Sequence, residues 1–149
     1  MTDEYFYDAA DMLRDLISKP SHSREEAEAG DVVVEYIRKA GFEPHRHGNN
    51  VWTIAPDYTP ERPTLLLNAH IDTVKPAAGW TYDPYTPTEE DDTLYGLGSN
   101  DDGASVVSLF AAYRVVSQLE RNYNLIFLAS CEEEVSGKNG IESALPLLG

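Results

Sequence analysis

Residues 65–72 read Leu-Leu-Leu-Asn-Ala-His-Ile-Asp, an apolar run that ends in His70 and, two residues later, Asp72. A run this apolar fits a central strand covered on both faces, and such a strand delivers its last side chains to the end of a sheet. Side chains two apart on a strand point the same way, so the imidazole and the carboxylate can pair. A metal-binding imidazole usually has its second ring nitrogen held by a carboxylate or carbonyl. Alone the pattern is weak, because a strand-end histidine is more often satisfied by ordinary neighbours.

Two later segments are suited to meet it. The first is Gly96-Leu97-Gly98-Ser99-Asn100-Asp101-Asp102-Gly103, leading into an apolar helix expected over residues 103–120. A carboxylate here can sit at the helix N-terminus, where the dipole favours an anion; an ordinary helix cap is the plainer alternative. A phosphate-cradling loop is disfavoured, because Asp101 stands where the third glycine of Gly-x-Gly-x-x-Gly belongs and two acids would repel a phosphate. The second segment is Cys131-Glu132-Glu133-Glu134, closing the apolar strand expected over residues 124–130. Three adjacent carboxylates at the end of a buried strand need a counter-charge, and the nearest cation in sequence is Lys138 alone. A divalent metal would supply it, leaving one glutamate to ligate and another to work as a base; a solvated acid loop is the alternative.

The rest of the chain reads as an α/β framework. Phe6, Ala9, Leu13, Leu16 and Ile17 recur at helical spacing after a capping Asp3, and Pro20 ends that helix. Ser23-Arg24-Glu25-Glu26 has capping-box spacing for a second helix that buries Val33, Val34 and Ile37 and stops at Gly41. Gly30 inside it costs about 1 kcal/mol relative to alanine. Residues 42–47 and 51–55 read as a hairpin around Gly48-Asn49-Asn50, residues 77–93 as a long loop, and residues 139–145 as a last short helix. The expected architecture is a three-layer α/β sandwich with a mixed, mostly parallel central sheet. His45-x-His47 could place two ligands on one strand face, but no acids adjoin it. Trp80 and Tyr85 could line a cleft, or more simply pin the long loop.

Composition bounds the function. At 149 residues the chain fits one domain, and its 42% hydrophobic content argues against disorder despite a formal net charge of −15. That charge disfavours nucleic acid and anionic membranes as partners. The single Cys131 forms no intrachain disulfide, no segment is apolar enough to span a membrane, and the cytoplasm is the expected location.

Taken together, His70-Ile71-Asp72, the loop carrying Trp80 and Pro87, Leu94-Tyr95-Gly96-Leu97-Gly98 with Asp101, and Glu133-Glu134 closely resemble the aminoacylase and carboxypeptidase-type family of co-catalytic zinc amidohydrolases, with wording nearest its acetylornithine deacetylases. The resemblance implies two zinc ions, for which cobalt can substitute. His70 would ligate one, Glu134 the other, and Asp101 would bridge them. Asp72 would orient the histidine and Glu133 would be the general base. It also implies a cis peptide at Asp101-Asp102, and a small N-acyl amino acid such as N-acetylornithine as substrate, with a dipeptide or N-succinyl-diaminopimelate as the nearest alternatives. A non-catalytic metal-binding or interaction module is the rival from another class. Family members are more than twice this long, so residues 1–149 are expected to be the N-terminal portion of the catalytic domain, without the lid or dimerisation domain through which the whole enzyme could form a homodimer.

Overall fold

A computed structural model describes residues 3–149. Helices α1 (Asp3–Ile17) and α2 (Ala27–Lys39) come first, followed by strands β1 (His45–His47), β2 (Asn50–Ile54) and β3 (Thr64–His70). A small hairpin of β4 (Thr88–Glu90) and β5 (Thr93–Tyr95) precedes α3 (Ala104–Val116), β6 (Asn124–Ser130) and α4 (Ile141–Ala144).

The main sheet has the order β1-β2-β6-β3. Every residue of β6 is buried, because its Leu-Ile-Phe-Leu-Ala run can cover both faces and a strand lies on each side. On one face Leu125, Phe127 and Ala129 meet α1, α2 and α3 through Met12, Val33, Ile37, Phe110 and Tyr113. On the other, Ile126, Leu128 and Trp52 meet Ala144 and Leu148. The α/β class and the mixed sheet are as expected, but only β3 and β6 pair in parallel; β1 with β2 and β2 with β6 run antiparallel because the initial hairpin enters the sheet beside β6. The parallel register sets His70 opposite Ser130, so both strands end side by side and the residues after them share one end of the sheet.

Four expectations change. β3 is an edge strand rather than a central one, and Leu65 is 44% exposed; an apolar run says that faces can be covered, not how many neighbours flank the strand. Residues 88–95 form a hairpin where a loop was expected, turning through Asp91 and Asp92, both at positive φ. Its strands, Thr-Glu-Glu and Thr-Leu-Tyr, are three residues each, too short to show an apolar alternation. The helix after Gly103 stops at Val116, short of Glu120. Ser23 does not cap α2: Glu26 occupies the N-cap position without a side-chain cap, and the Ser23 hydroxyl is engaged elsewhere. Gly30, costly to a helix, leaves room for Arg46, whose Nη2 would lie 2.9 Å from an added Cβ.

Phe127 is fully buried and packs its ring against Phe110 and Tyr113. Phe127→Ala should destabilise the fold by about 3–5 kcal/mol, read as a lowered urea midpoint. An unchanged midpoint would mean that β6 is not the centre of the core.

Candidate metal centre

The backbone brings all five expected site residues to the carboxyl ends of β3 and β6. His70 is the last residue of β3, and Asp72 follows at full burial. Glu133 and Glu134 open a single 3-10 turn that leaves β6 through Glu132, which has left-handed backbone geometry. Asp101 lies on the turn before α3, and its peptide bond to Asp102 is cis. Helix α3 itself starts at Ala104, so Asp101 precedes the helix and does not cap it.

The imidazole is the hub. His70 Nε2 lies 3.1 Å from Asp101 Oδ1 and 3.6 Å from Glu133 Oε2. One donor atom from each of His70, Glu133 and Glu134 falls within 4.8 Å of the other two. The opposite ring nitrogen, Nδ1, sits 2.9 Å from the Asp72 carbonyl oxygen and 3.4 Å from its carboxylate. Asp72 therefore steadies the ring chiefly through its backbone oxygen, while its carboxylate holds the glutamate turn. Oδ1 accepts from the Glu133 amide at 3.0 Å, and Oδ2 accepts from the Glu134 amide at 3.1 Å and from the Ser23 hydroxyl at 2.7 Å.

Charge follows this geometry. Burial alone would lower the His70 pKa, but the hydrogen bond and charge of Asp72, with Glu133 adding, push it up to about 9. Burial alone would raise Asp72; its bonds from His70, Ser23 and the amides of Glu133 and Glu134 hold it down at about 2. Glu134 is raised, first by burial and then by the charge of Asp101, with His70 opposing. Among the described residues no lysine or arginine forms an ion pair with Asp101, Glu133 or Glu134. An imidazole with one nitrogen held and the other facing carboxylates is a donor set that fits a divalent cation.

Glu132, the third acid of the run, turns away and accepts from the amide and side chain of Asn139 at 3.3 and 3.0 Å. His45 and His47 lie on exposed β1, where His45 stacks on Trp52. Tyr85 does pin the long loop, its hydroxyl 2.6 Å from His22 Nε2. Trp80, expected to do the same, instead stands 40% exposed at a cleft of about 270 Å³ beside Asp101 and Glu134, with Thr73, Val74 and Leu97 as further walls. Ser23, Glu26 and Asn50 also shape the site and were not singled out from sequence as site residues. Ser23 and Glu26 looked like helix-capping residues and Asn50 like a turn residue, and nothing local distinguishes those uses.

An α/β sheet with an imidazole and carboxylates converging at its strand ends defines a metallohydrolase-type domain. Residues 66–148 match the model of Peptidase family M20/M25/M40, and the chain belongs to that family. It is 29% identical to a succinyl-diaminopimelate desuccinylase of Blochmanniella floridana over 95% of this chain and 39% of that protein. With one from Xylella fastidiosa it shares 30% identity, over 93% of this chain and 38% of the relative. The chain thus spans about two fifths of the length of these curated relatives. Among solved structures, a dinuclear metal-binding peptidase of the M20 family from Bacillus subtilis superposes with a TM-score of 0.71 at 18% identity, covering 98% of this chain and 40% of its own. An M20 family metallo-carboxypeptidase from Sulfolobus solfataricus gives 0.69 at 23% identity, covering 90% and 32%. These likenesses carry the fold.

The pKa directions set a pH window for the metal-free protein. His70, raised from 6.5 to about 9, contributes stability that is full below pH 6.5 and lost as pH rises through 9. Asp72, lowered from 3.8 to about 2, contributes stability that is full above pH 3.8 and lost as pH falls towards 2. The urea midpoint should therefore decline between pH 6.5 and 9, and His70→Gln should flatten that decline. A wild-type midpoint constant over that range would show that the histidine is not held as its contacts indicate.

Proposed function

We propose that residues 1–149 are the N-terminal portion of the catalytic domain of a metal-dependent amidohydrolase that removes an acyl group from an N-acyl amino acid. The observation that carries this reading is the convergence of Asp101, Glu133 and Glu134 on His70, whose far ring nitrogen is held by Asp72. His70, Asp101 and Glu134 would hold divalent metal, which we take to be zinc, and Asp101 would be the carboxylate that serves both ions of a pair. Bound metal supplies Lewis acidity, lowering the pKa of a water and stabilising charge that develops on the substrate carbonyl.

The remaining work falls to this chain's residues. Glu133, 60% exposed at its side chain and 3.6 Å from the imidazole, is free to take a proton from the attacking water and return it to the departing amine nitrogen. Glu134, tethered to Asp72 through its amide as Glu133 is but less exposed than it, would stay as a ligand. The cleft walled by Trp80, Val74 and Leu97 beside Asp101 and Glu134 would shield one side of the reacting bond.

Where the sequence wording leans towards N-acetylornithine, the relatives named above lean towards an N-succinyl amino acid such as N-succinyl-diaminopimelate, and we favour the succinyl group. Among the described residues the cleft is lined by no lysine or arginine for a succinyl carboxylate, and that contact would come from elsewhere in the whole enzyme. With full-length enzyme, kcat/KM for N-succinyl-diaminopimelate should exceed that for N-acetylornithine; the reverse order restores the deacetylase reading.

The two glutamates separate in a second test. In full-length enzyme Glu133→Gln should keep its metal and lose about 10²- to 10⁴-fold in rate, the usual worth of a general base. Glu134→Ala should lose metal, measured by elemental analysis. If Glu133→Gln remains active, or Glu134→Ala keeps its full metal content, the assignment of base and ligand is wrong.

A further inference from the structure

Glu26 is fully buried, yet the metal-centre chemistry above makes no use of it. It stands at the N-cap position of α2 without capping that helix. Its Oε1 instead accepts from the Arg24 amide at 2.7 Å and, across the molecule, from the Glu132 amide at 3.1 Å. Its Oε2 accepts from Asn49 Nδ2 at 2.9 Å. All three hydrogen-bond partners of this carboxylate among the described residues are donors, and none is a charged side chain.

The amide that Glu26 holds belongs to a series. The Cys131 amide donates to Asn50 Oδ1 at 3.1 Å, the Glu132 amide to Glu26, and those of Glu133 and Glu134 to the two oxygens of Asp72. Four consecutive amides leaving β6 are thus each accepted by a side chain from another part of the fold. At Glu132 the chain adopts φ 56° and ψ 24°, a left-handed conformation in which a glutamate needs outside support. The Glu132 side chain packs so closely that a Cβ on Gly137 would meet its Oε2.

We infer that Glu26 is a positioning residue for the candidate metal centre: by holding the Glu132 amide it sets the left-handed step that aims Glu133 and Glu134 at His70. It touches neither substrate nor metal and acts through the backbone of the glutamate turn. Asn49 completes the device as the donor to the other Glu26 oxygen, and Arg46 fixes Asn49 by donating to Asn49 Oδ1 at 3.1 Å.

The inference rests on the reading of Glu133 and Glu134 as metal-site residues, so the test has one readout that needs no metal. In metal-free full-length protein, hydrogen–deuterium exchange at the amides of Glu132, Glu133 and Glu134 should accelerate in Glu26→Ala, while the amides of β6 stay protected. Zinc affinity, measured by competition with a chelator, should fall about 10- to 100-fold, as for other residues that orient ligands from behind. If Glu26→Ala unfolds, Glu26→Gln decides. It keeps one oxygen for the Glu132 amide but sets a new N–H₂ against the N–H₂ of Asn49, so exchange should rise and zinc affinity should fall less. Adding Asn49→Asp then turns that clash into a donor–acceptor pair and should restore both readouts, a rescue that general loss of packing would not give. Wild-type exchange at the three amides in Glu26→Gln, or no rescue by the double variant, overturns the inference. If wild-type protein binds no zinc, the proposed function fails, and the exchange data still judge Glu26.

Discussion

Four backbone amides, those of Cys131, Glu132, Glu133 and Glu134, are the constraint on which the site depends. Where β6 ends at Ser130, the chain must turn two acids towards His70, against repulsion from Asp101 and Asp72 and without sheet partners for its amides. Asn50, Glu26 and Asp72 take those amides, three of them through carboxylate oxygens. Hydrogen bonds to charged acceptors are worth about 1.5–3 kcal/mol each, enough to hold a strained turn. The exchange is reciprocal. Glu26 and Asp72 are wholly buried and are met by hydrogen-bond donors, Asp72 also by the His70 imidazole, so each would be costly to bury without the turn it supports.

What was legible in the sequence follows the range of each signal. β6 could be read to the residue because an unbroken apolar run bounded by polar residues reports burial directly; α1 could be read as a helix because its apolar spacing is periodic, although it takes in Asp3 and ends at Ile17, before Pro20. His70, Asp72, the Asp101-Asp102 pair and the Glu132-Glu133-Glu134 run stood out because acids and histidines are unusual at the ends of buried elements, and the fold does bring them together. The choice of Asp101, Glu133 and Glu134 within those runs, like their division of labour, came from family resemblance. Neighbours across the sheet left no such trace. The same Leu-Leu-Leu run serves a central or an edge strand, and only the pairing with β6 alone makes β3 an edge.

The residues behind the site were hidden for a related reason. Ser23 and Glu26 have capping-box spacing and Asn49-Asn50 has turn chemistry, and both local readings are chemically sound. Tertiary structure gave these polar groups longer-range partners: Ser23 donates to Asp72, Glu26 accepts from Glu132, and Asn50 spans from the Cys131 amide to the carbonyl of Asn139. A short polar side chain next to a helix start or a turn can serve the local backbone or a distant one. Only the folded chain shows which wins.

Charge placement then bears on the centre's chemistry. Among the described residues Arg14 pairs with Asp11 and Glu89, Arg46 with Asp31, Arg114 with Asp8 and Arg121 with Asp57, and no arginine pairs with the acids of the centre. Lys138, the cation nearest the glutamate run in sequence, is exposed and is not paired with it. Asp72 is neutralised through hydrogen bonds and His70, but Asp101, Glu133 and Glu134 face one another with a single imidazole among them. A nearby lysine would relieve that repulsion and also occupy the space between the carboxylates. By leaving its cations elsewhere the chain keeps that space clear, and a divalent ion is the counter-charge whose size and ligand preferences suit it.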